Sequence, residues 1–286
     1  MRIFALVKIN KMDKDLKTVL ITGASTGIGL SAAEQLMNKG MRVYAASRRG
    51  GVNQQAINGA GEIIHVKMDV NNEADIAQVI SQIMLENNRL EAVVCNAGNG
   101  IAGSVEDTSD EEMRYQLETN FFGAVKTIQA CLPVFRSQGY GKILITSSVA
   151  AIVPIPYQAF YSAGKAAIQV FLHALSIELK PYNIQCSCLL PGDTKTGFTA
   201  ARKYTLASQL PTSVYSTKMK KSVSKMEQDE QNGMSAHIVA KAIVNQITAK
   251  KMHSFYVIGL QYQLIYHFFQ VLPTAFRLWI VGKIYG

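Results

Sequence analysis

From residue 18 onward, short apolar runs alternate with segments of helical length, and this alternation restricts the fold more than any other feature of the chain. Such a pattern builds a parallel sheet with helices on both faces, because parallel neighbours need long crossovers and a helix fills each one. Strands are predicted at 18–22, 42–46, 62–68, 90–95, 142–146, 183–190 and 255–258, and helices at 28–39, 72–87, 109–136, 159–180 and 235–249. Ser109-Asp110-Glu111-Glu112 suits a helix N-terminus, and Pro181 ends the helix before it. The expectation is one doubly wound, parallel, seven-stranded α/β domain over 18–258, with a tail at 1–17 and an apolar extension at 259–286.

Composition agrees with a globular chain: 48% of the 286 residues are apolar and 17% charged, enough to bury a sizeable core. The balance of 29 basic to 20 acidic residues gives a net charge of +9, which favours anionic ligands and calls for no nucleic acid. Cys95, Cys131, Cys186 and Cys188 form no CxxC and no zinc spacing, and the histidines are scattered. A reduced, cytoplasmic protein without a metal is the expectation. The apolar run at 3–7 stops at Lys8, too short for a signal-peptide core.

The first strand runs directly into Thr22-Gly23-Ala24-Ser25-Thr26-Gly27-Ile28-Gly29, with a helix behind it. In this position glycines bring backbone N–H groups up to a pyrophosphate. The spacing Gly-x3-Gly-x-Gly departs from G-x-G-x-x-G and resembles that of the short-chain dehydrogenase/reductases. The resemblance extends over residues 18–260, with several motifs in the family's order. It implies a Rossmann-type fold in which Gly23, Ser25, Thr26, Gly27, Ile28 and Gly29 hold a dinucleotide. It further implies that Asp69 and Val70 meet the adenine, and that Asn96, Ala97 and Gly98 support the sheet beside the cofactor. Pro191 and Gly192, with Thr194 and Thr196, resemble the element that covers the nicotinamide amide. At the end of the second strand a carboxylate would select NAD, but the chain has Ser47-Arg48-Arg49, a hydroxyl and two guanidinium groups suited to a ribose phosphate. NADP(H) is therefore expected, with Arg48 the principal contact.

Tyr161-Ser162-Ala163-Gly164-Lys165 sets a phenol and an ammonium on one helix face. A tyrosine is a poor base at neutral pH, and a fixed cation nearby, with the charge of an oxidised nicotinamide, is expected to lower its pKa toward the working range. Ser148 precedes Tyr161 by 13 residues, the family's spacing, and is the candidate for holding the substrate oxygen; Ser147 is read as a neighbour that bonds to backbone. A one-residue shift of the strand end would exchange these two roles. The resemblance gives Asn120, an asparagine in mid-helix, the task of holding a helix irregularity and a water that joins Lys165 in a proton relay. The implied activity is hydride transfer between NADP(H) and a hydrophobic secondary alcohol or ketone, with Tyr161 as general acid/base. The alternative is a dinucleotide-binding scaffold or redox sensor without turnover.

Residues 195–233 are polar and short of strand signals, and read as a mobile substrate flap. Beyond 258 the chain is strongly apolar, with no acidic residue after Glu230. Two readings stand for this extension: a cover over the substrate pocket or a subunit interface, which is favoured, and a peripheral contact with anionic lipid. The family also implies a homodimer or homotetramer paired through the helices at 109–136 and 159–180.

Overall fold

A computed structural model describes residues 16–286, so most of the expected tail at 1–17 lies outside the described residues. The strands are β1 (Thr18–Thr22), β2 (Arg42–Ser47), β3 (Gln54–Gln55), β4 (Glu62–Lys67), β5 (Ala92–Cys95), β6 (Ile101–Ala102), β7 (Gly141–Thr146), β8 (Ile184–Pro191), β9 (Thr194–Lys195), β10 (Lys203–Tyr204), β11 (Met234–Ser235) and β12 (Phe255–Ile258). Eight of them form the main sheet in the order β12-β8-β7-β5-β1-β2-β4-β3. Seven are parallel, as expected, and the two-residue β3 adds an antiparallel edge that the sequence pattern does not announce. The short pairs β6–β10 and β9–β11 stand apart from the main sheet.

The helices are α1 (Gly27–Met37), α2 (Glu73–Asn87), α3 (Asp110–Leu117), α4 (Gly123–Gln138), α5 (Ala159–Glu178), α6 (Phe198–Ala201), α7 (Ser216–Gln231), α8 (Ala236–Thr248), α9 (Leu260–Val271) and α10 (Thr274–Tyr285). Alternate side chains of each strand serve opposite layers. Val19 and Ile21 join Leu36, Ile243 and Val244 of α1 and α8 on one face, while Leu20 joins Ile76, Ile128 and Ile168 of α2, α4 and α5 on the other. Burial on both faces explains why the strands read as unbroken apolar runs.

Three segments differ from expectation. The helix expected over 109–136 begins with a Ser109–Glu112 capping box but is divided by a wider turn at Glu118–Phe122, where the N–H of Gly123 donates to the carbonyl of Glu118. The flap at 195–233 holds a regular 16-residue helix, α7. Its polar sequence conceals one inward stripe, Met219, Val223 and Met226, which packs with Ala102 and Tyr285. The apolar extension forms two helices broken at Pro273, and no helix among the described residues is long and apolar enough to cross a membrane.

Candidate active site

The carboxyl ends of β1, β2, β4, β5, β7 and β8 lie along one edge of the sheet, and the strand order reverses direction between β1 and β5. A crevice opens at such a switch point. There the chain turns sharply: Gly23 and Gly27 have φ of +66° and +59°, values that L side chains rarely adopt. A Cβ on Gly29 would lie 2.5 Å from the Gly23 carbonyl oxygen and 2.7 Å from Asn96 Nδ2. Asn96 Nδ2 donates to the carbonyls of Thr22 and Gly23, both at 3.2 Å, and Thr22 Oγ1 accepts the N–H groups of Asn96 at 3.1 Å and Ala97 at 3.0 Å. The Asn96-Ala97-Gly98 element thus braces the turn. No side chain caps α1 and no acidic residue occupies its first turn, so the close backbone and the helix N-terminus fit a dinucleotide pyrophosphate.

Further along the edge, Ser47 Oγ donates to the Gly50 carbonyl at 3.3 Å. Arg48 and Arg49 are exposed there, without an ion-pair partner among the described residues. Asp69 Oδ1 accepts the N–H of Asn71 at 3.0 Å, and Val70 is buried where a Cβ on Gly123 would strike it. On the opposite rim Thr194 Oγ1 donates to the Gly192 carbonyl at 2.8 Å, and a Cβ on Gly27 would lie 3.5 Å from Thr196 Cβ. The residues expected around a dinucleotide therefore share one edge of the sheet.

Tyr161 and Lys165 lie in the first two turns of α5, one turn apart. Ser148, just past β7, lies beside the Tyr161 phenol, whose pKa it acts to lower, and accepts the N–H of Ala150 at 3.1 Å, which fixes its hydroxyl. Ser147 Oγ donates instead to the Lys165 carbonyl at 3.0 Å, the backbone role expected for it. Lys165 Nζ donates to the Thr146 carbonyl at 2.9 Å and sits 5.7 Å from the centre of the Tyr161 ring. Asn120 occupies the wide turn, its Oδ1 accepting the N–H of Asn99 at 2.8 Å and its Nδ2 donating to the Asn99 carbonyl at 2.9 Å. A Cβ on Gly98 would meet Asn120 Oδ1 at 3.2 Å and Lys165 Nζ at 3.9 Å, so these three groups converge.

Burial pushes the Tyr161 phenol up to about 12, against the lowering effect of Ser148, and Lys165 is not among the groups that lower it. Burial also draws the Lys165 ammonium down to about 8. Desolvation is the largest effect on both groups.

A cavity of about 420 Å³ opens over these groups. Ser148, Tyr161, Lys165 and Pro191 form its floor, and Phe198, Met226, Tyr262, Phe269 and Val281 its apolar walls. The Phe198 ring centre lies 5.8 Å from that of Tyr161. Behind this wall the Arg202 side chain is fully buried and pairs with Glu227 at 3.4 Å and with Glu230, whose other oxygen accepts from Thr199 Oγ1 at 2.6 Å. The sequence marks 195–233 as a substrate flap and 259–286 as a pocket cover or subunit interface, but not which residues of α7 and α9 line the cavity, nor Gln116 and Asp193. The stripe spacing of Met219, Val223 and Met226 was the available signal for α7; nothing in the sequence marks Gln116, which is buried and clamps the N–H of Ile101 at 2.7 Å.

The short chain dehydrogenase family model matches residues 17–206. The chain is 37% identical to 3-ketodihydrosphingosine reductase of Bacteroides thetaiotaomicron, over 82% of this chain and 84% of that one. Among solved structures, a short-chain dehydrogenase/reductase of Burkholderia phymatum in complex with NAD superposes with a TM-score of 0.71 at 22% identity, covering 84% of this chain and 89% of that one. A Burkholderia cenocepacia short-chain dehydrogenase in complex with NADP gives 0.70 at 21% identity, covering 94% and 98%. Fold, motif order and these likenesses agree that the chain belongs to the short-chain dehydrogenase/reductase family of oxidoreductases.

Proposed function

We propose that this chain is an NADP(H)-dependent reductase of hydrophobic ketones, interconverting a ketone and its secondary alcohol with Tyr161 as the proton donor. The observation that carries the reading is the meeting of Ser148, Tyr161 and Lys165 beneath an apolar-walled cavity beside the glycine turn. NADPH, when bound, supplies the hydride. Ser148 and Tyr161 hold the substrate oxygen, and as negative charge grows there Tyr161 delivers its proton. Lys165 offsets the phenolate that remains, and Asn120 keeps the wide turn next to it in place for proton return toward solvent. Arg48 and Arg49, without an ion-pair partner among the described residues, support NADPH over NADH, because a ribose phosphate gives both guanidinium groups a partner.

The apolar walls support a hydrophobic substrate, and the long-chain ketone named by the Bacteroides relative is one member of that class. Exposed Phe122, Val170 and Ile177 on the wide turn and α5 support pairing with a second copy. Free, buried cysteines are consistent with a cytoplasmic setting. A peripheral lipid contact is a second reading, favoured by exposed Leu264, Phe268, Phe276 and Trp279 beside Arg277 and Lys283. The test is nicotinamide absorbance with a series of ketones of rising chain length. NADPH consumption with kcat/KM rising along the series is expected; equal, negligible consumption with every ketone contradicts the proposal.

A further inference from the structure

We infer that Asp193 is a specificity-determining residue, whose carboxylate receives a cationic amine carried by the substrate near its reacting carbonyl. This deepens the ketone-reductase reading and rests on it. Two carboxylates, Glu230 and Asp193, line the largely apolar-walled cavity over Tyr161, and they are not equivalent. Glu230 already has a cation and a hydroxyl, since Arg202 pairs with one oxygen and Thr199 donates to the other. Asp193 pairs with no cation among the described residues, and its one side-chain partner across the cavity wall is the neutral Tyr262 hydroxyl.

The Tyr262 bond fixes the carboxylate. The Tyr262 hydroxyl accepts the N–H of Asp193 at 3.0 Å and donates to its Oδ2 at 2.8 Å. A Cβ on Gly192 would overlap the Tyr262 ring, so the chain just after Pro191 is pressed against α9 and the aspartate has little freedom. Lys225 pairs with Asp229 although its charge still reaches Asp193, Arg202 pairs with Glu227 and Glu230, and Lys165 bonds the Thr146 carbonyl from the Tyr161 side. Burial holds the Asp193 carboxyl above the usual carboxylate range, with Asp229 adding to the effect. A half-buried carboxylate with no cation, in a cavity built for a ligand, is best satisfied by a charge that the ligand brings. Apolar walls on the same cavity fix the rest of that ligand as an alkyl chain. The substrate class is therefore a long-chain ketone with a free amine close to the carbonyl.

The experiment compares kcat/KM for three ketones of one chain length: 3-ketodihydrosphingosine, its N-acetyl form and the plain ketone. The wild type is expected to prefer the free amine by about tenfold or more, the scale of a partly desolvated charge pair. In D193N, which keeps an acceptor for Tyr262, that preference falls to near unity while NADPH affinity and Tm stay close to wild type. A second measurement needs no variant: sphinganine, the amine-bearing product, inhibits the wild type about tenfold more tightly than a neutral alcohol of equal length. Equal use of all three ketones, or a preference that survives D193N, overturns the role of Asp193 and leaves the reductase reading standing. Turnover of none of the three counts against the reductase reading itself.

Discussion

Lys165 sits where a cation is unfavourable for folding. Its pKa falls from 10.5 to about 8 because the ammonium is buried, so between these values the unfolded chain binds more protons than the folded one. Stability attributable to this residue therefore rises with pH from about 8 to 10.5, and below 8 the burden is constant. The size of that burden is about 3 kcal/mol, offset in part by the bond to the Thr146 carbonyl, worth about 1 kcal/mol. K165M is accordingly predicted to be inactive yet about 2 kcal/mol more stable at pH 7, with the gap narrowing toward pH 10. Chemical denaturation at several pH values measures this. A K165M variant less stable than wild type at pH 7 contradicts it. At the other end of the crevice, R48A is predicted to lower the NADPH-over-NADH ratio of kcat/KM by about ten- to a hundredfold, the worth of one or two charge-assisted bonds. An unchanged ratio would show that Arg48 is only a solvated turn residue. Tyr161, Lys165 and Arg48 were all legible in the sequence, because their chemistry goes with residue type and spacing. The role proposed for Asp193 was not, since it rests on the absence of an ion-pair partner among the described residues, a property of the folded surroundings.

At the scale of elements, legibility follows burial. The seven parallel strands read directly from the chain because both their faces are covered, whereas β3, a two-residue exposed edge, leaves no pattern. Helix α7 is the instructive miss. Lys218, Lys220, Lys221 and Lys225 dominate its sequence, and it is anchored by Met219, Val223 and Met226 and by the pairing of Glu227 and Glu230 with Arg202, so tertiary contact rather than local preference makes it a helix. M219A is predicted to cost about 2–4 kcal/mol locally and to raise KM for apolar ketones more than it lowers kcat. Hydrogen exchange should show faster opening of α7 while the central strands stay protected; uniform loss of protection would mean that α7 is part of the global core. The junction of β8 with α9 is as tight. G192A forces the Tyr262 ring aside and is predicted to destabilise the protein by about 1–3 kcal/mol, seen as a lower Tm.

For the whole molecule, the sheet supplies a rigid edge and the variable segments supply a roof. The apolar length of the extension was visible in the sequence, but its placement was not, because the same composition suits a lipid surface, a subunit contact or a pocket wall. In the structure the inner sides of α9 and α10 line the cavity through Tyr262, Phe269 and Val281, while Leu264, Phe276 and Trp279 remain outside. If those outer side chains meet lipid, flotation with anionic vesicles should carry the protein upward and the double variant F276A/W279A should weaken it; no flotation removes that reading. The central claim, that a proton-bearing phenol completes the reduction of a ketone in this cavity, is tested most directly by single-turnover NADPH oxidation with a long-chain ketone in wild type and Y161F. The account predicts that Y161F binds NADPH normally and reduces the ketone about 10²–10⁴-fold more slowly. Reduction by Y161F at the wild-type rate would contradict it.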